Sequence, residues 1–171
     1  MIGDYTINNA HDSWIWKVIT LPNNRIASCS DDETIKIWKS NPPYSDTPIN
    51  VLKTHWGVTS LLYIKERDIL ISRSQDDTLR LWNMSTYQCD KVIEGVDCYS
   101  TNSLYQIDKD RVIVGRYKSF CIVNIDKCVI EKIIKDESIR YVYCFLKLKD
   151  NKTILCGCEY GIFCFYDMNT K

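Results

Sequence analysis

Two sets of serine, histidine and aspartate residues are the first candidates for chemistry in this chain. The first set holds His11 and Asp32 with Ser28 and Ser30, and the second holds His55 and Asp76 with Ser72 and Ser74. Residues of these three types form a nucleophilic triad when they meet around one substrate. The chain has only two histidines, however, and they take equivalent positions in two copies of a repeat, whereas catalysis needs one special site. The sequence also has no Gly-x-Ser-x-Gly elbow, so we predict that the protein is not an enzyme and keep a hydrolase as a distant alternative.

Nine cysteines are the next candidates, for metal binding or disulfide bonds. Their odd number and their place in apolar stretches favour reduced thiols that pack as small hydrophobic side chains. Cys156 and Cys158 are two residues apart on a predicted strand, which separates them by about 6.6 Å along the chain. Thiolates around a tetrahedral zinc ion lie closer together, with Zn–S distances of about 2.3 Å. We therefore predict no metal site and no cofactor.

The elements that would position these residues follow from a repeat. SDDETIKIW (30–38) and SQDDTLRLW (74–82) share the frame Ser-x-Asp-x-Thr-(Ile/Leu)-(Lys/Arg)-(Ile/Leu)-Trp. The segments GRYKSFCIVN (115–124) and CEYGIFCFYD (158–167) keep the apolar positions of that frame. The last apolar position of the frame recurs at Trp38, Trp82, Val123 and Tyr166, in steps of 44, 41 and 43 residues. We call these four residues the landmarks.

Short apolar runs separated by turn residues recur between the landmarks. The runs are rich in Ile, Val, Tyr and Phe and are typical of strands, and no window shows the sustained 3.6-residue period of a core helix. Four short antiparallel strands repeated every ~43 residues are typical of the blade of a β-propeller. The sequence therefore predicts an all-β fold in which residues 1–171 form a single domain of four blades, a partial or unusually small propeller.

These units resemble the repeats of the WD40-repeat family over essentially the whole chain, and the last two repeats are degenerate. The family's Gly-His and Trp-Asp positions are occupied by Ala10-His11 and Trp38-Lys39 in the first repeat and by Thr54-His55 and Trp82-Asn83 in the second. The resemblance implies a buried hydrogen-bond network in each of these two blades. The implied members are His11, Asp32 and Trp38 with Ser28 or Ser30, and His55, Asp76 and Trp82 with Ser72 or Ser74.

The resemblance also implies a contact surface for a partner, at the end of the propeller where the first strands begin. The residues at the corresponding positions are Trp14, Trp16, Asp31, Trp56, Thr59, Gln75, Arg116 and Glu159. Exposed aromatic side chains are common anchors of interfaces. Trp14 and Trp16 lie on the same side of a predicted strand, and two interpretations stay open: they contact a partner, or at least one packs against a neighbouring blade.

Charge and hydrophobicity narrow the class of partner. The 22 Lys and Arg residues balance the 22 Asp and Glu residues, and no long run of one sign occurs, which argues against nucleic acid or an anionic membrane. No apolar run approaches the roughly 20 residues that span a bilayer, and residues 1–12 do not have the pattern of a signal peptide. We expect a cytoplasmic protein, with the nucleus as an alternative, whose partner is a protein or a peptide.

Four blades would leave two sheet faces without a neighbour. Three arrangements remain open: a closed four-bladed ring, an eight-bladed ring of two copies, and a piece of a longer chain. We also expect an extra strand in IGDYTI (2–7) and a fourth blade that stops after its third strand. The leading hypothesis is a non-catalytic scaffold that presents loops to a protein or peptide. The alternative is a structural subunit that completes a propeller as a homodimer or with another chain.

Overall fold

Four antiparallel sheets follow one another along the chain in the computed structural model, which describes residues 5–97 and 103–168. Blade 1 contains β1 (Ile15–Leu21), β2 (Arg25–Ser30), β3 (Thr34–Lys39) and β4 (Asn50–Lys53). Blade 2 contains β5 (Val58–Ile64), β6 (Ile69–Ser74), β7 (Leu79–Asn83) and β8 (Cys89–Ile93). Blade 3 contains β9 (Leu104–Gln106), β10 (Arg111–Arg116), β11 (Ser119–Asn124) and β12 (Val129–Lys135). Blade 4 contains β13 (Val142–Lys147), β14 (Thr153–Cys158) and β15 (Phe163–Asp167).

Within each blade the strands pair in chain order, and the first strands of consecutive blades contact one another. The first strands therefore lie innermost, around the axis of a propeller. The described helices are two short 3₁₀ turns, Lys65–Arg67 and Glu159–Gly161, and no described helix has the length and apolar character needed to cross a membrane. The predicted all-β propeller fold is confirmed.

Three apolar cores fill the spaces between consecutive blades. Between blades 1 and 2, Ile35 and Ile37 share one buried cluster with Leu70 and Trp82. The corresponding groups are Leu79 and Leu81 with Val112 and Val123, and Phe120 and Ile122 with Ile154 and Tyr166. Because side chains alternate along a strand, each inner sheet directs its landmark residue towards the previous blade and the residues one and three positions before the landmark towards the next blade. The landmarks of blades 2 to 4 thus take equivalent places.

The two ends of the stack differ from the inner blades. Blade 4 has three strands among the described residues. Of the segment IGDYTI, residues 2–4 lie outside the described ranges and residues 5–7 form no strand, so the structure contradicts the expected extra strand for residues 5–7. The side chain of Tyr5 instead donates to Asp46 Oδ1 at 2.7 Å and stacks on Tyr44 with 5.2 Å between ring centroids. These contacts hold it against the loop between β3 and β4.

A chain of hydrogen bonds crosses blade 1 from the loop before β1 to the third strand. The indole of Trp38 donates to Ser28 Oγ at 2.8 Å, and Ser28 Oγ lies 2.7 Å from His11 Nε2. On its other side, His11 Nδ1 lies 2.8 Å from Asp32 Oδ2. Since Ser28 accepts from Trp38, its own hydrogen can go to Nε2, which leaves the imidazole proton on Nδ1, facing Asp32. Of the two serines considered, Ser28 is the one in this chain, because Ser30 Oγ accepts from the backbone N–H of Asp32.

Blade 2 keeps only part of that chain. The indole of Trp82 donates to Ser72 Oγ at 2.8 Å, as in blade 1. His55 is exposed, so its predicted place in the network is wrong. The carboxylate of Asp76 is bound instead by the guanidinium of Arg80, with 2.8 Å between Nη1 and Oδ2. An arginine four residues along the chain therefore makes the contact with the carboxylate that the imidazole makes in blade 1.

A fully buried arginine joins blades 2 and 3. Nη2 of Arg73 donates to the carbonyl oxygens of Gly115, at 2.8 Å, and Asp97, at 3.2 Å. These acceptors offset the loss of hydration that makes a buried guanidinium costly. Gly115 is itself confined, because a Cβ there would overlap Ser103 Oγ.

Removing the serine of each blade should destabilise the protein to different extents. Ser72→Ala leaves the buried indole N–H of Trp82 without its partner, at about 1–3 kcal/mol. Ser28→Ala also deprives His11 Nε2 of a partner, so we expect a larger loss of unfolding free energy. Urea unfolding measures both, with the exposed Ser13→Ala as a control that changes stability by less than about 0.5 kcal/mol. Equal losses for the two variants would contradict the histidine contact.

The stability of the protein should depend on pH through His11. The pKa of His11 is lowered in the folded state, mainly because the imidazole is buried. Asp32 and Asp12 act in the opposite direction and raise the pKa, whereas Lys36 lowers it further. The unfolded chain, with a histidine pKa of about 6.5, then binds the proton more readily, so the stabilisation present above that pH is lost as pH falls.

Urea midpoints between pH 7.5 and about 5 provide the measurement. The His11→Gln variant should show a shallower pH dependence than the wild type. His55→Gln is the matched control, because His55 is the other of the two histidines and is exposed; it should keep the wild-type slope. A slope that disappears with His55 and stays without His11 would contradict the assignment.

Candidate functional site

One carboxylate joins the loop before β1 to the turn between β2 and β3. Asp32 Oδ2 accepts from the N–H of Asp12 at 3.0 Å, and Oδ1 accepts from the N–H and hydroxyl of Thr34 at 3.0 and 2.6 Å. Burial alone would raise the pKa of Asp32, but these hydrogen bonds outweigh it and the pKa is lowered, so the group stays charged. The same loop and turn carry Trp14 and Asp31. The hydrogen bonds of Asp32 therefore fix the segments on which these two residues lie.

Two tryptophans and an aspartate meet at the start of β1. Trp16 Nε1 donates to Asp31 Oδ1 at 2.6 Å, and the carbonyl of Trp14 accepts from the N–H of Asp31 at 3.1 Å. The indole rings are 5.9 Å apart at 71°. The pairing of β1 with β2 skips Trp16, which marks a β-bulge that re-aims its side chain. Neither ring belongs to a buried core, and Trp14 is 74% exposed, which favours the contact interpretation over packing against a blade.

Blade 2 adds to this group. Gln75 Nε2 donates to Asp31 Oδ1 at 3.0 Å, and its backbone N–H donates to the carbonyl of Gly57 at 2.9 Å. A Cβ at position 57 would lie 2.7 Å from Asp31 Oδ1 and 3.2 Å from the Cα of Asp31, so glycine lets the two loops approach without displacing Asp31. Sequence reasoning missed Gly57, whose signal is a glycine directly before a first strand. The exposed Trp56 precedes it. We call Trp14, Trp16, Trp56, Asp31 and Gln75 the tryptophan cluster.

Thr59 does not belong to this surface, and its prediction as a contact residue is wrong. It takes the bulge position of β5 that Trp16 takes in β1, but it is buried. The inner strand β5 has neighbouring blades on both sides, and the hydroxyl of Thr59 points to the carbonyl of Arg73 at 3.5 Å.

Arg116 and Glu159 lie in blades 3 and 4, away from the tryptophan cluster. Nη2 of Arg116 binds Asp97 Oδ2 at 3.1 Å. Within the described residues, the buried Nε of Arg116 and Oε2 of Glu159 have no hydrogen-bond partner. An open pocket of about 430 Å³ at this junction is lined by Asp97, Tyr117, Arg140 and Tyr141. This pocket offers a ligand the side chains of Asp97 and Arg140 and aromatic walls.

The contacts of His11 with Ser28 and Asp32 have the connectivity of a hydrolytic triad, but not its access. Ser28 is 4% exposed, and its oxygen already accepts from Trp38. A nucleophile must reach a substrate carbonyl from a bound position. The arrangement therefore suits a structural link and not acyl transfer.

The cysteines do not assemble a metal site in the parts of the chain that the structure describes. No group of three His, Cys, Asp or Glu side chains in residues 5–97 and 103–168 could hold an ion, and the eight cysteines in those ranges are free. Cys98 lies outside them. Burial raises the pKa of Cys29 and Cys158 to about 12, so these thiols stay protonated at neutral pH.

Comparison with known proteins identifies the repeats. The family model for the WD domain, G-beta repeat, matches residues 5–39 and 46–83, which span blades 1 and 2. Nuclear distribution protein nudF of Aspergillus niger is 41% identical over 92 residues, which cover 53% of this chain and 20% of that protein. The WD repeat-containing protein 89 homolog of Dictyostelium discoideum is 25% identical over 156 residues, 88% of this chain and 41% of that protein. The chain thus matches only a fifth to two fifths of the length of these relatives.

The fold has a counterpart among solved structures. The crystal structure of the WD40 beta propeller domain of Doa1 superposes with a TM-score of 0.78 at 16% identity and covers 94% of this chain and 53% of that one. At this identity the likeness concerns the fold alone. The chain thus carries matched WD40 repeats in blades 1 and 2, within a stack of blades that has the fold of a WD40 β-propeller.

Proposed function

We propose that this protein is a non-catalytic interaction scaffold whose tryptophan cluster binds a protein or peptide partner. WD40 propellers generally bind proteins, and the observation that carries the proposal here is Trp14, a largely exposed indole on a fixed loop. The N–H of Asp31 donates to the carbonyl of Trp14, and Gln75 binds the side chain of Asp31, so little conformational entropy is lost when a partner binds. Aromatic anchors of this kind supply most of the binding free energy in many interfaces.

The charge around the cluster suggests the chemistry of the partner. Asp12 lies in the loop before β1 that carries Trp14, and Asp31 and Glu33 lie in the turn between β2 and β3, where Asp31 accepts from the indole N–H of Trp16. Carboxylates beside exposed aromatic faces favour a cation, which is attracted by both. We infer that the partner presents a Lys or Arg side chain beside an apolar one. The expected compartment remains the cytoplasm, with the nucleus as the alternative.

Arg116 and Glu159 are candidates for a second contact of the same partner. The two residues belong to the blades whose Tyr117 and Tyr141 line the open pocket, and the side chains of Asp97 and Arg140 there can bond to an extended peptide. A peptide that ran across the end of the propeller from blade 1 to blade 4 would reach the tyrosines of that junction after the tryptophans. The tryptophan cluster carries the proposal without this extension.

A peptide library tests the proposal. Peptides selected from a random phage-displayed library on the 171-residue chain should contain Lys or Arg next to an apolar residue. Trp14→Ala should weaken their binding by at least about 30-fold, because a central Trp contributes about 2 kcal/mol or more; calorimetry with synthetic peptides measures this. Asp31→Asn should reduce both the affinity and its dependence on salt.

Val92→Ala is the matched control, because Val92 is an exposed apolar residue of the outer strand β8, away from the loops; its affinity should equal that of the wild type. Selected peptides that bind Trp14→Ala as tightly as the wild type would show that the cluster is not the binding site.

A further inference from the structure

The outward face of blade 4 is apolar and uncovered. Its apolar side chains are Cys144, Leu146, Leu155, Phe163 and Phe165. Phe163 is 71% exposed and Phe165 67%. The equivalent pairs in the third strands of the other blades are Ile35 and Ile37, Leu79 and Leu81, and Phe120 and Ile122, which are between 0% and 7% exposed. These positions are thus buried under the following blade in blades 1 to 3 and exposed to water in blade 4.

The opposite face of the stack, on blade 1, shows the complementary departure. Ile15 and Val18 are 47% and 55% exposed. Their equivalents relative to the bulge in the first strand of blade 2, Val58 and Leu61, are 0% and 1% exposed. The indole of Trp38 is nevertheless buried, covered within its own blade by the hydrogen-bond network. What blade 1 lacks is therefore a preceding blade over its innermost strand.

We propose that a second copy of this chain covers both faces, with blade 4 of each copy packed on blade 1 of the other. In each of the three cores described above, the face of one sheet that is directed towards the next blade packs on the face of the next sheet that is directed towards the previous blade. The uncovered face of blade 4 is of the first kind, and the uncovered face of blade 1 is of the second kind. Both are exposed, so they do not cover each other within one chain and the closed four-bladed ring is not formed. Two copies related by a two-fold axis that coincides with the central axis of the propeller would form a closed ring of eight blades. This number is within the range of about 4–8 that propellers adopt.

The chemistry of the faces fits a blade better than a peptide or a membrane. Apart from Asp167 at the end of β15, where the other blades have Lys39, Asn83 and Asn124, the outward side chains of blade 4 carry no charge, and an apolar patch of this kind marks an association surface. Strand-face apolar residues opposite one another interdigitate when two sheets pack. The contact would resemble the three cores that the structure already contains.

Sedimentation velocity of the 171-residue chain at micromolar concentration tests the proposal. We expect twice the 20.0 kDa mass of one chain. Phe163→Ser with Phe165→Ser, and separately Ile15→Ser with Val18→Ser, should each give a monomer with an unchanged circular dichroism spectrum. Val129→Ser with Ile133→Ser is the matched control, because these residues are similarly exposed but lie on the outer strand β12; it should remain a dimer.

Mixing the two monomeric variants distinguishes this arrangement from any other dimer. The blade 4 variant keeps an intact blade 1 face, and the blade 1 variant keeps an intact blade 4 face, so the mixture contains one intact contact and should recover a dimer that neither variant forms alone. A monomeric wild type would overturn the proposal and leave another chain or further blades as the cover. A dimer that persists in both variants, or a mixture that stays monomeric, would also overturn it.

Discussion

Everything in this fold depends on each sheet being apolar on both faces. A sheet of four short strands cannot bury two apolar faces by itself, and at about 25 cal/mol per Å² of apolar area the drive to cover them is the largest favourable contribution to folding. Stacking satisfies it for the inner blades, where the faces form three buried clusters. The stack also explains why the first strands lie innermost, in contact with one another.

Polar groups decide how the blades are fixed rather than whether they stack. In blade 1, a neutral imidazole links Trp38 and Ser28 to the carboxylate of Asp32. Blade 2 neutralises the equivalent carboxylate with Arg80, and the guanidinium needs no loop histidine to complete it. Both solutions satisfy the same requirement, which is that a buried carboxylate at a strand turn must be hydrogen-bonded or paired. The two blades therefore keep one backbone geometry with different chemistry.

The sequence predicted the fold well because each repeat shows the alternation of apolar residues that is typical of strands, and this pattern is local to each segment. It failed where a neighbour decides the outcome. His55 occupies the expected position in the sequence, but Arg80 binds the carboxylate of Asp76 instead. We did not consider Arg80 as an alternative partner of that carboxylate from the sequence. Thr59 and Trp16 share one position in the repeat, but β5 has a blade on each side and β1 does not. Gly57 matters because an added Cβ would lie 2.7 Å from Asp31 Oδ1. That approach joins two distant segments of the chain, so neither segment alone predicts it.

The two surfaces proposed for association do not compete, and this follows from the architecture. The tryptophan cluster sits on loops at one end of the strands, whereas the uncovered faces of blades 1 and 4 are the flat sides of sheets. Covering Ile15 and Val18 would fix the strand that begins directly after Trp14, so assembly would stiffen the loop that presents the indole. A ring of two chains would also present two tryptophan clusters on one side, and a partner with two binding segments would then gain affinity without any new contact.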